Sequence, residues 1–173
     1  MEKMSKQVEI AIKEALKLEI NGRRFFSHAA EVTNHPKGKN MFLHLAKEEV
    51  KHLETFGNLF SEILKDKEWK KFVKAEELKG EAPLVERLKA HMKREEGQGE
   101  IEALRIGMEL EQNAINFFSK AAREAEDPVA KKIFREIVEE EKFHYDLLQA
   151  QYDSVTHSGF WLDGAEFQMD GKW

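Results

Sequence analysis

The chain has 173 residues, 20.2 kDa, 41% of them hydrophobic, 35% charged and 10% aromatic, with a formal net charge of −5; this is enough for one sizeable core and argues against disorder, while the negative balance gives nucleic-acid binding no general support. No cysteine is present, which excludes a disulfide scaffold, a thiol nucleophile, a zinc finger and an iron–sulfur cluster. Three prolines and ten glycines allow few turns, which favours a few long helices over a many-stranded sheet.

The first predicted helix runs from about Ser5 to Val32, and Asn34-His35-Pro36 closes it. A second follows from about Lys37 to Lys65. Residues 66–97 form a charged crossover holding Trp69, Phe72 and Val73, with a short helix expected from Pro83 through Leu84, Val85, Leu88 and Met92. A third long helix runs from about Gln98 to Ala125. After it, Asp127 is a suitable N-cap and Pro128 a suitable first residue for the fourth, which is expected to end near Asp153. Each long helix spans roughly 40 Å at 1.5 Å per residue. Short loops make each pair antiparallel, and the crossover is long enough to return the chain along the bundle. The tail, 154–173, carries Phe160, Trp161, Phe167, Met169 and Trp173; it is expected to dock on its own domain, the other reading being a partner subunit in a homodimer. No apolar run nears the ~20 residues of a membrane span, and the start lacks the basic-then-apolar layout of a secretory leader. The expected location is cytoplasmic.

The two hairpins align without a gap at an offset of 92 residues, the distance from Glu19 to Glu111. Leu18-Glu19 falls on Leu110-Glu111, Phe25-Phe26-Ser27 on Phe117-Phe118-Ser119, Pro36 on Pro128, Glu48-Glu49 on Glu140-Glu141 and His52 on His144. Between residues 11 and 52, fifteen of the 42 positions are identical; chance gives roughly three at ordinary amino-acid frequencies. The pattern reads as an internal repeat of one helical hairpin.

Some repeated polar residues lie inside apolar stripes. Glu19 is flanked by Ile12, Leu16 and Phe26, and Glu111 by Leu104, Met108 and Phe118. Glu49 and His52 fall among Phe42, Leu45, Phe56 and Leu59; Glu141 and His144 fall among Phe134, Ile137, Val138 and Leu148. Residues three apart share a helical face, so each Glu-x-x-His pair aims both side chains inward. Four unpaired carboxylates in an apolar core are prohibitively costly, and no Lys or Arg lies on these stripes. Two divalent cations cancel four negative charges and use both imidazoles. That arrangement is a dinuclear site built from a Glu on each of two helices and Glu-x-x-His on each of the others. Its oxygen-rich donor set suits iron or manganese better than structural zinc.

These motifs resemble the ferritin-like di-iron carboxylate superfamily, and within it the rubrerythrin-type proteins, over about residues 8–60 and 100–152. The resemblance implies an all-α, ferritin-like antiparallel four-helix bundle in a single domain, 1–173: hairpin 1 at 5–65, crossover at 66–97, hairpin 2 at 98–153 and an aromatic tail. It makes Glu19 and Glu111 the lone carboxylate ligands, Glu49 and Glu141 bridging candidates, and His52 and His144 terminal nitrogen ligands. It implies two iron ions, manganese being the other metal, and an oxidoreductase that reduces O2 or hydrogen peroxide with electrons from an external donor protein. Alternatives are a ferroxidase or iron storage or delivery protein, a hydroxylase, and a metal-free helical adaptor. No catalytic residue beyond the ligands and no organic cofactor is indicated. The family's additional Glu, three residues after the third-helix ligand, is Ala114 here, with Gly22 as its counterpart. Tyrosines often found near such centres are replaced by the Phe pairs, and the C-terminal iron–thiolate domain has no cysteines to build it.

Gly22 and Ala114 either leave room for a small oxidant or let helices pack closely. Glu48 and Glu140, each four residues before a ligand His, read first as solvated glutamates and second as acceptors behind the imidazoles. His28, His35, His44, His91 and His157 have no repeated partner and are expected at the surface.

Overall fold

A computed structural model describes residues 6–64, 69–77, 83–91 and 98–163. The described residues form six helices and no strand: α1 (Lys6–Val32), α2 (Pro36–Leu64), α3 (Trp69–Glu77), α4 (Pro83–His91), α5 (Gln98–Glu124) and α6 (Pro128–Ser158). The architecture is an all-α, ferritin-like bundle with α1 paired to α2 and α5 to α6. The side chains of Leu84 and His91, together with Met92, Phe167, Met169 and Trp173, lie outside the described residues.

The loops explain the pairing. At the second, Asp127 is an N-cap in extended backbone, and its carboxylate accepts the Ala130 N–H at 2.8 Å. At the first, Thr33 donates its hydroxyl to the Ala29 carbonyl, and His35 Nδ1 accepts the Lys37 N–H. The Asn34 N–H also donates to Glu100 at 2.8 Å. This bond puts the start of α5 beside the end of α1, so the crossover does carry the chain back along the bundle.

The crossover holds two short helices, each packed against a different part of the apolar interior. α3, which the sequence alone did not reveal, lays Trp69, Phe72 and Val73 partly buried over the apolar cluster that holds Phe56, Phe118 and Phe134. The Trp69 ring lies where a Cβ on Gly57 would sit, only 2.5 Å away. Arg23 of α1 forms an ion pair with Glu77 of α3. α4 starts at Pro83 as expected and buries Val85 and Leu88 in the cluster that holds Phe25, Phe26 and Phe42.

The apolar interior is therefore in two parts. One contains Phe25, Phe26, Phe42, Leu45, Leu104 and Leu148; the other contains Ile12, Leu16, Phe56, Leu59, Phe118 and Phe134. Phe56, Phe118 and Phe134 form a ring cluster with centroids 5.3–6.2 Å apart. Along each long helix the two sets are separated by the turn that carries Glu19, Glu49, Glu111 or Glu141.

α6 is longer than expected, running to Ser158 rather than to about 153. The polar residues there remain helical because Thr156 and Ser158 donate to the carbonyls of Tyr152 and Ser154, four residues back. The stop is Gly159, in the left-handed conformation at φ 75°, whose N–H donates to the Val155 carbonyl. The chain then folds back onto its own domain. Gln151 donates to the Leu162 carbonyl and accepts the Leu162 N–H, at 2.8 and 2.9 Å. Trp161 is buried against Phe42 and occupies the space over Gly38. No helix among the described residues is long and apolar enough to cross a membrane.

Candidate metal centre

All six residues singled out by pattern are buried at the waist of the bundle, none more than 4% exposed. Each comes from mid-helix, where the backbone satisfies its own hydrogen bonds and only the side chain faces the interior. They converge as two overlapping sets. Glu19, Glu49, His52 and Glu141 form one; Glu49, Glu111, Glu141 and His144 form the other. Within each set one donor atom per residue lies within 4.8 Å of the rest. Glu49 and Glu141 belong to both. His52 Nδ1 is 3.3 Å from Glu19 Oε2 and 3.0 Å from Glu141 Oε1. His144 Nδ1 is 3.6 Å from Glu111 Oε1 and 3.5 Å from Glu141 Oε2. The two imidazole rings stack with centroids 5.9 Å apart.

With protein groups alone, this arrangement is under electrostatic stress. Burial, aided by the Glu141 charge, raises the Glu19 carboxyl to about 8. Burial and Glu141 likewise lift Glu111 well above the usual carboxylate range. Burial would also raise Glu141, but Glu111 and the two imidazoles beside it outweigh burial and hold it below its ordinary value. Burial opposes the charge on His52, yet Glu19, Glu140 and Glu141 overcome that and push the imidazole up to about 12. Neighbouring groups thus hold protons in a place where each would prefer a cation.

The donor atoms fit a metal. Oε1 of Glu19, Oε1 of Glu49 and Nδ1 of His144 are buried without a hydrogen-bond partner, a state that normally costs about 1–3 kcal/mol per group. No Lys or Arg ion pair to Glu19, Glu49, Glu111 or Glu141 is found among the described residues, and the nearby cations act elsewhere. Arg23 reaches Glu77, and Lys51 donates to Glu48 at 2.8 Å. Carboxylate oxygens with one imidazole per set are a donor mixture suited to iron or manganese.

Three neighbours were not resolved by sequence. Gly22 is one: a Cβ there would lie 3.0 Å from the Glu49 carboxyl carbon. The room left by this glycine is therefore taken by Glu49 itself, not kept for an oxidant. Its counterpart Ala114 is buried on the opposite helix. The second is Glu140, which contacts His52 Nε2 from the other hairpin while remaining half-exposed. The third is His44, which is not at the surface. It is partly buried, and burial holds its imidazole below the ordinary value, with His144 and two lysines adding and Glu48 opposing. His28 is also partly buried, whereas His35 and His157 are exposed.

A family model described as rubrerythrin matches residues 11–152. Comparison with curated proteins and with solved structures returned no match. The matched span covers α1 from Ala11, α2, the crossover, α5 and α6 as far as Tyr152, and so takes in all six waist residues. The chain belongs to the rubrerythrin family.

Proposed function

We propose that the chain binds two iron ions between its hairpins and is an oxidoreductase that reduces hydrogen peroxide or O2, with electrons delivered by a separate donor protein. The observation that carries this reading is the overlap of the two four-residue sets at Glu49 and Glu141. Glu49 and Glu141, common to both sets, would serve both cations, with Glu19 and His52 available to hold one and Glu111 and His144 the other. Iron held there supplies one electron per ion, matching a two-electron substrate: hydrogen peroxide, two electrons and two protons give two waters.

The protein's own contribution is arrangement. The apolar clusters on either side keep bulk water from the waist, which strengthens every charge interaction within it. Glu19 and Glu111, which burial holds protonated, give up those protons when cations take their place. Beyond these residues no side chain is assigned to bond making. Manganese is the other ion this donor set accommodates.

The test is anaerobic loading with Fe(II), elemental analysis, and rapid mixing with hydrogen peroxide. Two iron ions per chain, and a rise in ferric near-ultraviolet absorption with one peroxide consumed per pair, are expected. Protein that retains no iron, or ferrous protein unchanged by peroxide over minutes, would overturn the reading.

A further inference from the structure

Although the chain pattern is symmetric, the waist is not. His52 Nε2 meets the carboxylate of Glu140, which arrives from α6 rather than from the helix that carries His52. The equivalent glutamate on α2, Glu48, instead accepts from Lys51 at 2.8 Å. His144 is among the charges that face Glu48, yet no hydrogen bond from its Nε2 to Glu48 is found among the described residues. An ionised carboxylate can only accept, so the Glu140 contact requires Nε2 of His52 to carry a hydrogen whether the ring is charged or neutral. That leaves Nδ1 as the nitrogen facing Glu19 and Glu141, at 3.3 and 3.0 Å.

We propose that Glu140 is a positioning residue for His52: it fixes the tautomer and ring orientation from across the hairpin interface, so the two halves of the centre are unequally prepared for a metal ion. The inference rests on the metal-binding reading above. Its chemistry is general: an imidazole whose outer N–H is held by a carboxylate is a better-oriented and more basic ligand, and loss of such a partner typically lowers metal affinity about 10- to 100-fold. Glu140 is 53% exposed and His52 2% exposed, so removing the carboxylate leaves no cavity in the core.

The experiment is Co(II) titration of chelator-treated full-length protein, followed by visible absorption. Variants are Glu140→Ala, Glu140→Gln, Glu48→Gln and, as a helix-surface control, Glu139→Gln. Wild type binds two equivalents. Glu140→Ala weakens one of them about 10- to 100-fold. Glu140→Gln, whose amide oxygen still accepts from Nε2–H, falls between the two, and Glu48→Gln and Glu139→Gln match wild type. Nitrogen-15 NMR of the Zn(II)-loaded protein gives a readout independent of affinity: the His52 Nε2–H is slow to exchange in wild type and rapid in Glu140→Ala. Unchanged Co(II) binding and unchanged exchange in Glu140→Ala, or equal losses in Glu140→Gln and Glu48→Gln, would overturn the inference. Wild-type protein that binds no Co(II) would instead overturn the metal reading beneath it.

Discussion

Burial sets the behaviour of the waist residues one by one. Glu19 and Glu111 hold protons in the fold at pH values where an unfolded chain has released them, starting from an ordinary value of 4.5 and extending to about 8 for Glu19. His52 does the same between its ordinary 6.5 and about 12. A folded state that binds more protons than the unfolded one loses stability as pH rises. Glu141 has the opposite sign: its contribution is present above 4.5 and is lost as pH falls below it. Chelator-treated protein should therefore melt highest near pH 5 and progressively lower toward pH 9. With excess Mn(II) the trend should reverse, because metal competes with protons for the same atoms. Melting curves across this range check both signs; a flat or rising profile without metal would contradict them. Gly22→Ala is a second residue-scale case. The added methyl displaces the Glu49 carboxylate, so metal affinity should fall. The metal-free helix should gain up to ~1 kcal/mol of propensity, which is a melting-point rise of no more than about 2–4 °C.

At the scale of elements, the long helices were legible because their stripes are long and the loops carry Pro36 and Asp127-Pro128. The crossover was only half legible. α4 announces itself with Pro83, whereas α3 is nine residues with none fully buried, and its hold comes from Trp69 over Gly57, a tertiary contact no local pattern contains. The end of α6 was missed for a related reason: Ser154, Thr156 and Ser158 read as a loop, but their hydroxyls are satisfied by the helix itself or by the returning chain, and the actual stop is the backbone of Gly159. Gly57→Ala should show what α3 contributes. The new Cβ meets the Trp69 ring at 2.5 Å, so the helix must shift, at a cost of about 1–3 kcal/mol. Lower melting temperature with faster hydrogen exchange in α3 is the expected result; wild-type values would mean that α3 is not clamped there.

For the whole molecule, six buried polar side chains were readable because charge in an apolar stripe is so expensive that it demands a reason. What spacing alone did not give was how the hairpins divide them; the shared role of Glu49 and Glu141 came only from the family resemblance. Glu140 acts across the interface, and sequence spacing places it only beside residues of its own helix. Each four-residue set likewise draws on both hairpins. Metal ions should therefore hold the halves together, and saturating Mn(II) at ~100 times its dissociation constant should add about 2.7 kcal/mol for each ion bound. Glu49→Ala and Glu141→Ala, each removing a shared carboxylate, should abolish most of that gain. A variant that keeps the full metal-dependent rise would show that its carboxylate is not shared.

The same division has a consequence in time. A ribosome delivers Glu19, Glu49 and His52 early, but the fourth member of their set, Glu141, lies 89 positions after His52. The nascent first hairpin therefore emerges with three of the four donors of its set, and the set is complete only after the last helix leaves the exit tunnel.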